Sequence, residues 1–289
     1  MTEAVIFAPV KINLALHVGP PRADGYHPVD TLCVFPMLGD VLAYDPEGPP
    51  GIDFTGTFGE ELAGEGHADN LIWRAFLLLD LEPQGRFLLQ KETPIASGIG
   101  AGTADGVAAM LLLNDVHELG FDADQLRRRS LGLGADGPVC MAGQINGGGV
   151  IRASGIGERI TLTERCEPEA IVLANPGYAV STGEVFRRFD AGDPSPLTPA
   201  AYERTGGAAG MVHRNRNDLL APAEEIEPAI EPLIATMSAQ PGARAASMSG
   251  SGATCFAIHA SATSAERAAR DLRAQGFWAE SSFILPGNA

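Results

Sequence analysis

The chain has 289 residues, 45% of them hydrophobic and 19% charged, a composition that supports one large or two smaller globular domains and excludes a disordered polymer. With 36 acidic against 20 basic residues its formal net charge is −16, which excludes nucleic acid as a general partner but leaves room for a single small anion held by a local cation. No apolar run approaches the roughly 18 residues of a membrane span, and Glu3 stands where a secretory leader needs a basic start, so a cytoplasmic protein without a membrane partner is expected.

Ala8, Val10, Ile12, Leu14, Leu16 and Val18 alternate with Lys11, Asn13 and His17, which predicts a half-buried strand from Ala8 to Val18. Lys11 and Asn13, about 6.6 Å apart on one face, are then either a solvated edge or part of a site. Gly19 to Gly25 is turn chemistry, and Val29 to Met37 returns as the next antiparallel strand. Tyr26 and His27 sit at the lip between the two, where they either close the hairpin or stack on a heteroaromatic ring.

Asn70 to Leu81 reads as an amphipathic helix and Arg86 to Lys91 as a strand. The strand leads into Thr93-Pro-Ile-Ala-Ser-Gly-Ile-Gly-Ala-Gly-Thr-Ala-Asp105, and a helical run (Val107, Met110, Leu111, Asn114) follows at once. Strand, glycine-rich turn and helix start in that order gather free N–H groups and a positive helix end at one point, as phosphate binding requires. A flexible linker is the alternative, although linkers do not feed straight into a strong helix. No Gly-Lys-Ser/Thr closes the loop, so a Walker-type NTPase is disfavoured. A Gly-x-Gly-x-x-Gly at Gly132, Gly134 and Gly137 follows Arg127-Arg128-Arg129-Ser130 instead of an apolar strand and is a decoy for a dinucleotide fold. Asp136 inside it is a helix cap unless its neighbours make it a general base.

Beyond Gly147-Gly148-Gly149, short strands are predicted at 150–152 and 159–162, a buried strand at 170–174, a helix at 180–189 and a loop at 190–199. A helix at 221–238 should be kinked or broken by Pro222, Pro228 and Pro232. A second Gly/Ser turn, Met248 to Thr254, lies between two strands, followed by a helix at 264–275 and a final strand. This alternation predicts an α+β architecture divided near residue 155. Cys33, Cys140, Cys166 and Cys255 lack any Cys-x-x-Cys spacing, so neither a zinc site nor a disulfide framework is expected.

Three segments, Ala8-Pro-Val-Lys-Ile-Asn-Leu14, Pro94 to Asp105 and Met248-Ser-Gly-Ser-Gly-Ala-Thr254, resemble in order and spacing the three motifs of the GHMP small-molecule kinases. Asp24-Gly25-Tyr26-His27, Leu133-Gly-Ala-Asp-Gly-Pro-Val139 and the Cys255-Phe256 that follows the third motif resemble the branch of that superfamily acting on 4-diphosphocytidyl-2-C-methyl-D-erythritol in the non-mevalonate isoprenoid pathway. The resemblance covers nearly the whole chain. It implies a two-domain α+β GHMP kinase fold, with a ribosomal-protein-S5-domain-2-like N-terminal domain at 1–155 holding the nucleotide loop and catalytic residues, and a ferredoxin-like α/β sandwich at 156–289.

The same resemblance implies transfer of the γ-phosphoryl group of ATP, with Mg2+, to the 2-hydroxyl of this small-molecule substrate by a monomer or homodimer. Asp136 then matches the base and Lys11 the lysine beside it. Asn13, Tyr26, His27, Thr182 and Phe186 match substrate-binding positions, with Tyr26 and Phe186 enclosing the cytosine and His27 hydrogen-bonding its edge. Asn70, Lys91, Pro94, Ala96, Ser97, Gly98, Ile99, Gly100, Ala101, Gly102 and Thr103 match ATP-binding positions, and Thr103 is the candidate magnesium ligand. The family's central motif is usually Gly-Leu-Gly-Gly-Gly-Ser-Ser. Here Ile99, Ala101 and Ala104 fill its second, fourth and last positions and Thr103 replaces the first serine. Ala101 fits only at negative φ, and the Thr103 hydroxyl preserves one oxygen. A homoserine- or mevalonate-type kinase would share the three motifs, as would a catalytically silent GHMP-like binding protein, against which Lys11 and Asp136 argue.

Overall fold

The computed structural model describes residues 4–62 and 70–288. The elements in chain order are β1 (Ala4–Pro9), β2 (Ile12–Val18), β3 (Val29–Val34), β4 (Gly39–Asp45), β5 (Gly51–Thr55), α1 (Gly59–Leu62), α2 (Leu71–Leu78), β6 (Arg86–Gln90), α3 (Ala101–Val116), α4 (Ala123–Ser130), a 3-10 turn (Leu131–Leu133) and α5 (Gly137–Asn146). There follow β7 (Val150–Gly155), β8 (Arg159–Glu164), β9 (Ala170–Asn175), α6 (Thr182–Ala191), α7 (Gly207–Arg214), α8 (Leu220–Ile226), α9 (Ile230–Ser238), β10 (Ala243–Met248), β11 (Cys255–His259), α10 (Ala262–Ala274) and β12 (Trp278–Phe283).

The strands form three four-stranded sheets, ordered β1-β4-β6-β5, β2-β3-β7-β8 and β10-β11-β9-β12. In the first, β5 runs parallel to β6; the other neighbours are antiparallel. The second sheet lies between two cores. Cys33, Ile151 and Ala153 face the core packed by α2, α3 and α5, while Ile12, Leu14, Leu32 and Val34 meet Ile171, Leu173, Phe256 and Ile258 of the third sheet. The far face of the third sheet packs with Val185, Leu233 and Leu272.

This layering corrects the reading of Ala8 to Val18 as one half-buried strand. Pro9, which has no N–H to donate, ends β1. Val10 N–H turns to Leu38 O and Lys11 N–H to Ile99 O, and the chain resumes as β2 in a different sheet. Because that sheet is covered on both sides, Lys11, Asn13 and His17 are buried at 3%, 4% and 3% exposure, so a solvated polar edge is ruled out.

The predicted helix at 221–238 is two helices, α8 and α9, interrupted around Pro228. Pro222 and Pro232 each occupy the third position of a helix, where no intrahelical N–H bond is lost. The β7–β8 ladder holds residues 159–164 to the second sheet, and the third sheet begins at β9. No helix among the described residues is long and apolar enough to cross a membrane.

Candidate active site

A cavity of about 960 Å³ opens where the loops before α3, after β10 and ahead of α5 converge. Its floor is set by one fixed polar chain. Lys11 Nζ donates to Asn13 Oδ1 at 2.7 Å and faces Asp136 Oδ2 at 3.3 Å. Asn13 Nδ2 donates to Thr31 Oγ1 at 2.8 Å, and Thr31 in turn donates to Ala15 O at 2.6 Å. Asn13 and Thr31 are held by β2 and β3 of one sheet, and Lys11 stands directly ahead of β2. Lys11, Asn13, Thr31 and Asp136 all line the cavity, and Asp136, its side chain 42% exposed against 4% for Lys11, is the more open member of the ion pair. It stands at the N-cap position of α5 without capping it, so position and function separate here.

Burial works to lower the pKa of Lys11, but the Asp136 carboxylate, with Cys33 and Cys140 alongside, outweighs it and the net shift is upward. Lys11 therefore stays an ammonium at neutral pH. Burial likewise pushes the Cys33 thiol up to about 11 and Cys140 well above its usual value, so both remain thiols beside that ammonium.

The glycine loop is shaped by positive φ at Gly98 (77°) and Gly100 (66°). A Cβ on Gly98 would lie 2.6 Å from the carbonyl oxygens of Ser249 and Gly252, and one on Gly250 would lie 2.5 Å from Gly98 O. The third motif is thus the backing of the second. Ser249 Oγ reinforces the contact with bonds to Gly98 O at 3.2 Å and Asn13 Oδ1 at 3.3 Å, and Thr254 N–H donates to Ser97 O at 3.1 Å. Gly100 is the N-cap of α3 and offers no side chain. The first-turn N–H groups of Ala101, Gly102 and Thr103 are left without intrahelical partners beside the Lys11–Asp136 pair. Ala101 opens α3 outside the positive-φ region, so its methyl is accommodated.

Lys11, Asn13, Tyr26, His27, Asn70, Lys91, Thr182, Phe186 and the loop from Pro94 to Thr103 all line this cavity, with one exception. Ile99 points away into the core between the second and third sheets and contributes only its carbonyl, to Lys11 N–H. Asn70 caps α2, its Oδ1 accepting from Ile72 N–H at 2.9 Å. Lys91 is committed elsewhere, donating to Asp40 at 2.6 Å and Asp105 at 2.8 Å. Thr182 Oγ1 lies 2.9 Å from Ser251 Oγ, and Tyr26, 57% exposed, stands at the mouth.

Asp40, Arg187 and Asp190 escape the sequence reading, and Asp105 and Ser251, although inside the quoted motifs, are given no site role by it; of these all but Asp40 line the cavity. Asp40 also accepts from the N–H groups of Glu92 and Thr93, so the buried trio with Lys91 fixes the entry to the glycine loop. The available signal was an aspartate two residues past Thr103 inside an apolar helix, where an unpaired charge does not belong. Burial, opposed by Lys91 and helped by Asp40, raises the Asp105 pKa to about 7.

The chain matches the GHMP kinases N terminal domain over residues 70–144 and GHMP kinases C terminal over residues 202–277. It is 40% identical to the 4-diphosphocytidyl-2-C-methyl-D-erythritol kinase of Granulibacter bethesdensis, over 94% of this chain and 91% of that protein, and 43% identical to that of Rhizobium etli, over 92% and 88%. The crystal structure of a 4-(cytidine 5'-diphospho)-2C-methyl-D-erythritol kinase superposes with a TM-score of 0.78 at 30% identity, covering 99% of this chain and 100% of that one. A homoserine kinase from Cytophaga hutchinsonii, with a TM-score of 0.65 at 15% identity over 99% and 96% of the two chains, shares the fold. Sequence and fold together make this chain a member of the GHMP kinases, in the family of 4-diphosphocytidyl-2-C-methyl-D-erythritol kinases.

Proposed function

We propose that the chain transfers the γ-phosphoryl group of ATP to the 2-hydroxyl of 4-diphosphocytidyl-2-C-methyl-D-erythritol. The observation that carries the chemistry is the Lys11–Asp136 contact at 3.3 Å, set in one cavity with the glycine loop and the Tyr26–Phe186 slot. A tertiary alcohol is a poor nucleophile and needs positioning, a proton acceptor and neutralisation of the transferring group. Asp136 accepts the hydroxyl proton as the oxygen attacks phosphorus. Lys11, fixed by Asn13, pairs with that carboxylate and orients the alcohol.

The α3 amides and the loop from Gly98 to Thr103 hold the triphosphate, and Asn70, Pro94, Ala96 and Ser97 border the adenosine. Lys91 serves that end by holding the loop entry, since its ammonium is already paired. Thr182 meets the substrate beside Phe186. The part up to about residue 155, extended by β8, carries nucleotide, chemistry and the Tyr26 wall of the cytidine slot, and the part from β9 onward supplies the Phe186 wall. We take the working form to be a cytoplasmic monomer or homodimer.

Magnesium fits this site as an ion carried by the nucleotide. Among the described residues no cluster of three or more His, Cys, Asp or Glu forms a cage, but the half-buried Thr103 hydroxyl on the cavity wall has no hydrogen bond there, and Mg2+ bound to phosphates takes only one or two protein oxygens. Thr103 would hold it, and the bound ion neutralises charge on the phosphate oxygens.

The test is ADP release with ATP and the cytidine compound, methylerythritol phosphate, homoserine or mevalonate as acceptor. Turnover confined to the cytidine compound is expected. Equal turnover of mevalonate or homoserine would leave only the broader kinase reading, and no turnover of any would favour the silent binding protein.

A further inference from the structure

The two ring nitrogens of His27 already face protein acceptors. Nδ1 lies 3.0 Å from Gly19 O and Nε2 lies 3.5 Å from Asp190 Oδ1. One ring face meets Phe186 with centroids 4.7 Å apart, Phe189 stands edge-on at 5.9 Å, and the side chain is 9% exposed. Both ring nitrogens are thus turned to protein groups, Nδ1 to a carbonyl within hydrogen-bond distance and Nε2 to a carboxylate, and away from the role of a free base-reading edge.

The geometry of these partners is informative. Phe189 and Asp190 lie in the last turn of α6 and Phe186 one turn before them, whereas Gly19 starts the loop that ends in Tyr26 and His27. That loop is otherwise closed on itself, by Gly19 N–H to Pro28 O and Arg22 N–H to Tyr26 O, both at 2.8 Å. His27 is therefore its fastening to α6, and the fastened parts are the two walls carrying Tyr26 and Phe186. Asp190 has no helical reason to be where it is, because an anion in the last turn opposes the negative end of the helix. Its carboxylate has no other hydrogen bond or ion pair among the described residues, so His27 is its partner.

We propose that the His27 ring is a clamp rather than a base reader, and that Asp190 is its positioning residue. Together they hold the Tyr26 loop against α6 at the spacing that admits the pyrimidine of a cytidine nucleotide. The assignment rests on the substrate reading above.

Asp190→Ala should raise the KM for the cytidine substrate about three- to tenfold, with kcat and the KM for ATP changed by less than about twofold, and Asp190→Asn, which keeps an acceptor oxygen, should recover most of the loss. His27→Phe, which keeps an aromatic wall but neither ring nitrogen, should raise KM for cytidine and uridine forms alike and leave their kcat/KM ratio within about twofold. An unchanged KM in Asp190→Ala overturns the clamp, and so does a drop of about tenfold or more in the ratio for His27→Phe, which would make the ring a base reader. Failure of the substrate reading shows separately, as wild-type enzyme that turns over neither nucleotide. Amide exchange over residues 19–27 then decides the clamp without substrate: faster exchange in Asp190→Ala supports it, and unchanged protection overturns it.

Discussion

Asp136 occupies the N-cap position of α5 yet caps no N–H, and its carboxylate instead faces Lys11 Nζ at 3.3 Å. A cap aspartate contributes stability to its helix, so an uncapped one is free to be replaced without unfolding the chain. Asp136→Asn should keep the fold and ligand binding, at a lowered thermal transition because the buried Lys11 ammonium loses its counter-ion, but slow phosphoryl transfer by about 10²–10⁴, the range for general-base catalysis. Lys11→Ala acts through the same carboxylate, so the double variant should lose far less than the product of the single losses. Rapid-quench rates that multiply would show two independent contributions.

Gly100 sits at φ 66° with its missing Cβ 3.0 Å from Lys11 Cε. Gly100→Ala must place a residue in the left-handed region, at roughly 1–2 kcal/mol, and push the Lys11 side chain off its line. Both ATP affinity and kcat should fall, while the cytidine substrate still binds. Calorimetry and turnover that both match wild type would remove the loop from the phosphate site.

What the sequence disclosed and what it hid divide along physical lines. The glycine loop was legible because left-handed backbone restricts residue choice locally, and Gly98 and Gly100 carry that mark themselves. The helix decoy at Gly132 was legible for the same local reason: α4 precedes it, where a dinucleotide loop needs a strand. Burial of Lys11 and Asn13 was not, since alternation looks the same whether the polar face meets water or a second layer. The Lys91–Asp40–Asp105 trio joins β4, α3 and the residue that follows β6, and spacing along the chain contains nothing of it. Ile99 shows the converse, a residue inside a binding motif whose side chain serves the core. The pairing of Lys11 with Asp136 came from family resemblance alone, because their contact depends on how β2 and α5 meet.

Tyr26 and Phe186 line one cavity from opposite elements, the loop before β3 and the middle of α6. Removal of either ring as Ala should weaken cytidine-substrate binding by roughly 1–3 kcal/mol, the value of a stacked base, or about five- to over a hundredfold. ATP affinity should not move. Titration of both ligands into each variant checks this, and loss of ATP binding instead would place the nucleotide donor, not the acceptor, in this slot.

Asp105 gives the chain a pH dependence of stability whose sign can be worked out. Its carboxyl titrates at about 7 in the fold, raised mainly by burial, against an ordinary 3.8. Between those values the native state holds a proton that the unfolded chain has released, so this group's contribution to stability is complete below about pH 4 and is lost as pH rises through about 7. Asn at this position cannot ionise, and Asp40 remains 2.6 Å from Lys91 to balance the ammonium, whose own pKa is shifted upward. Asp105→Asn should therefore gain stability relative to wild type between pH 5 and pH 8. Measured by denaturant unfolding, the difference between the two proteins should move in favour of the variant by more than about 1.4 kcal/mol, the equivalent of one pKa unit. Other groups that titrate in this window are common to both proteins and cancel in the comparison. The same difference at both pH values would mean that Asp105 stays ionised throughout, held as the second counter-ion of Lys91.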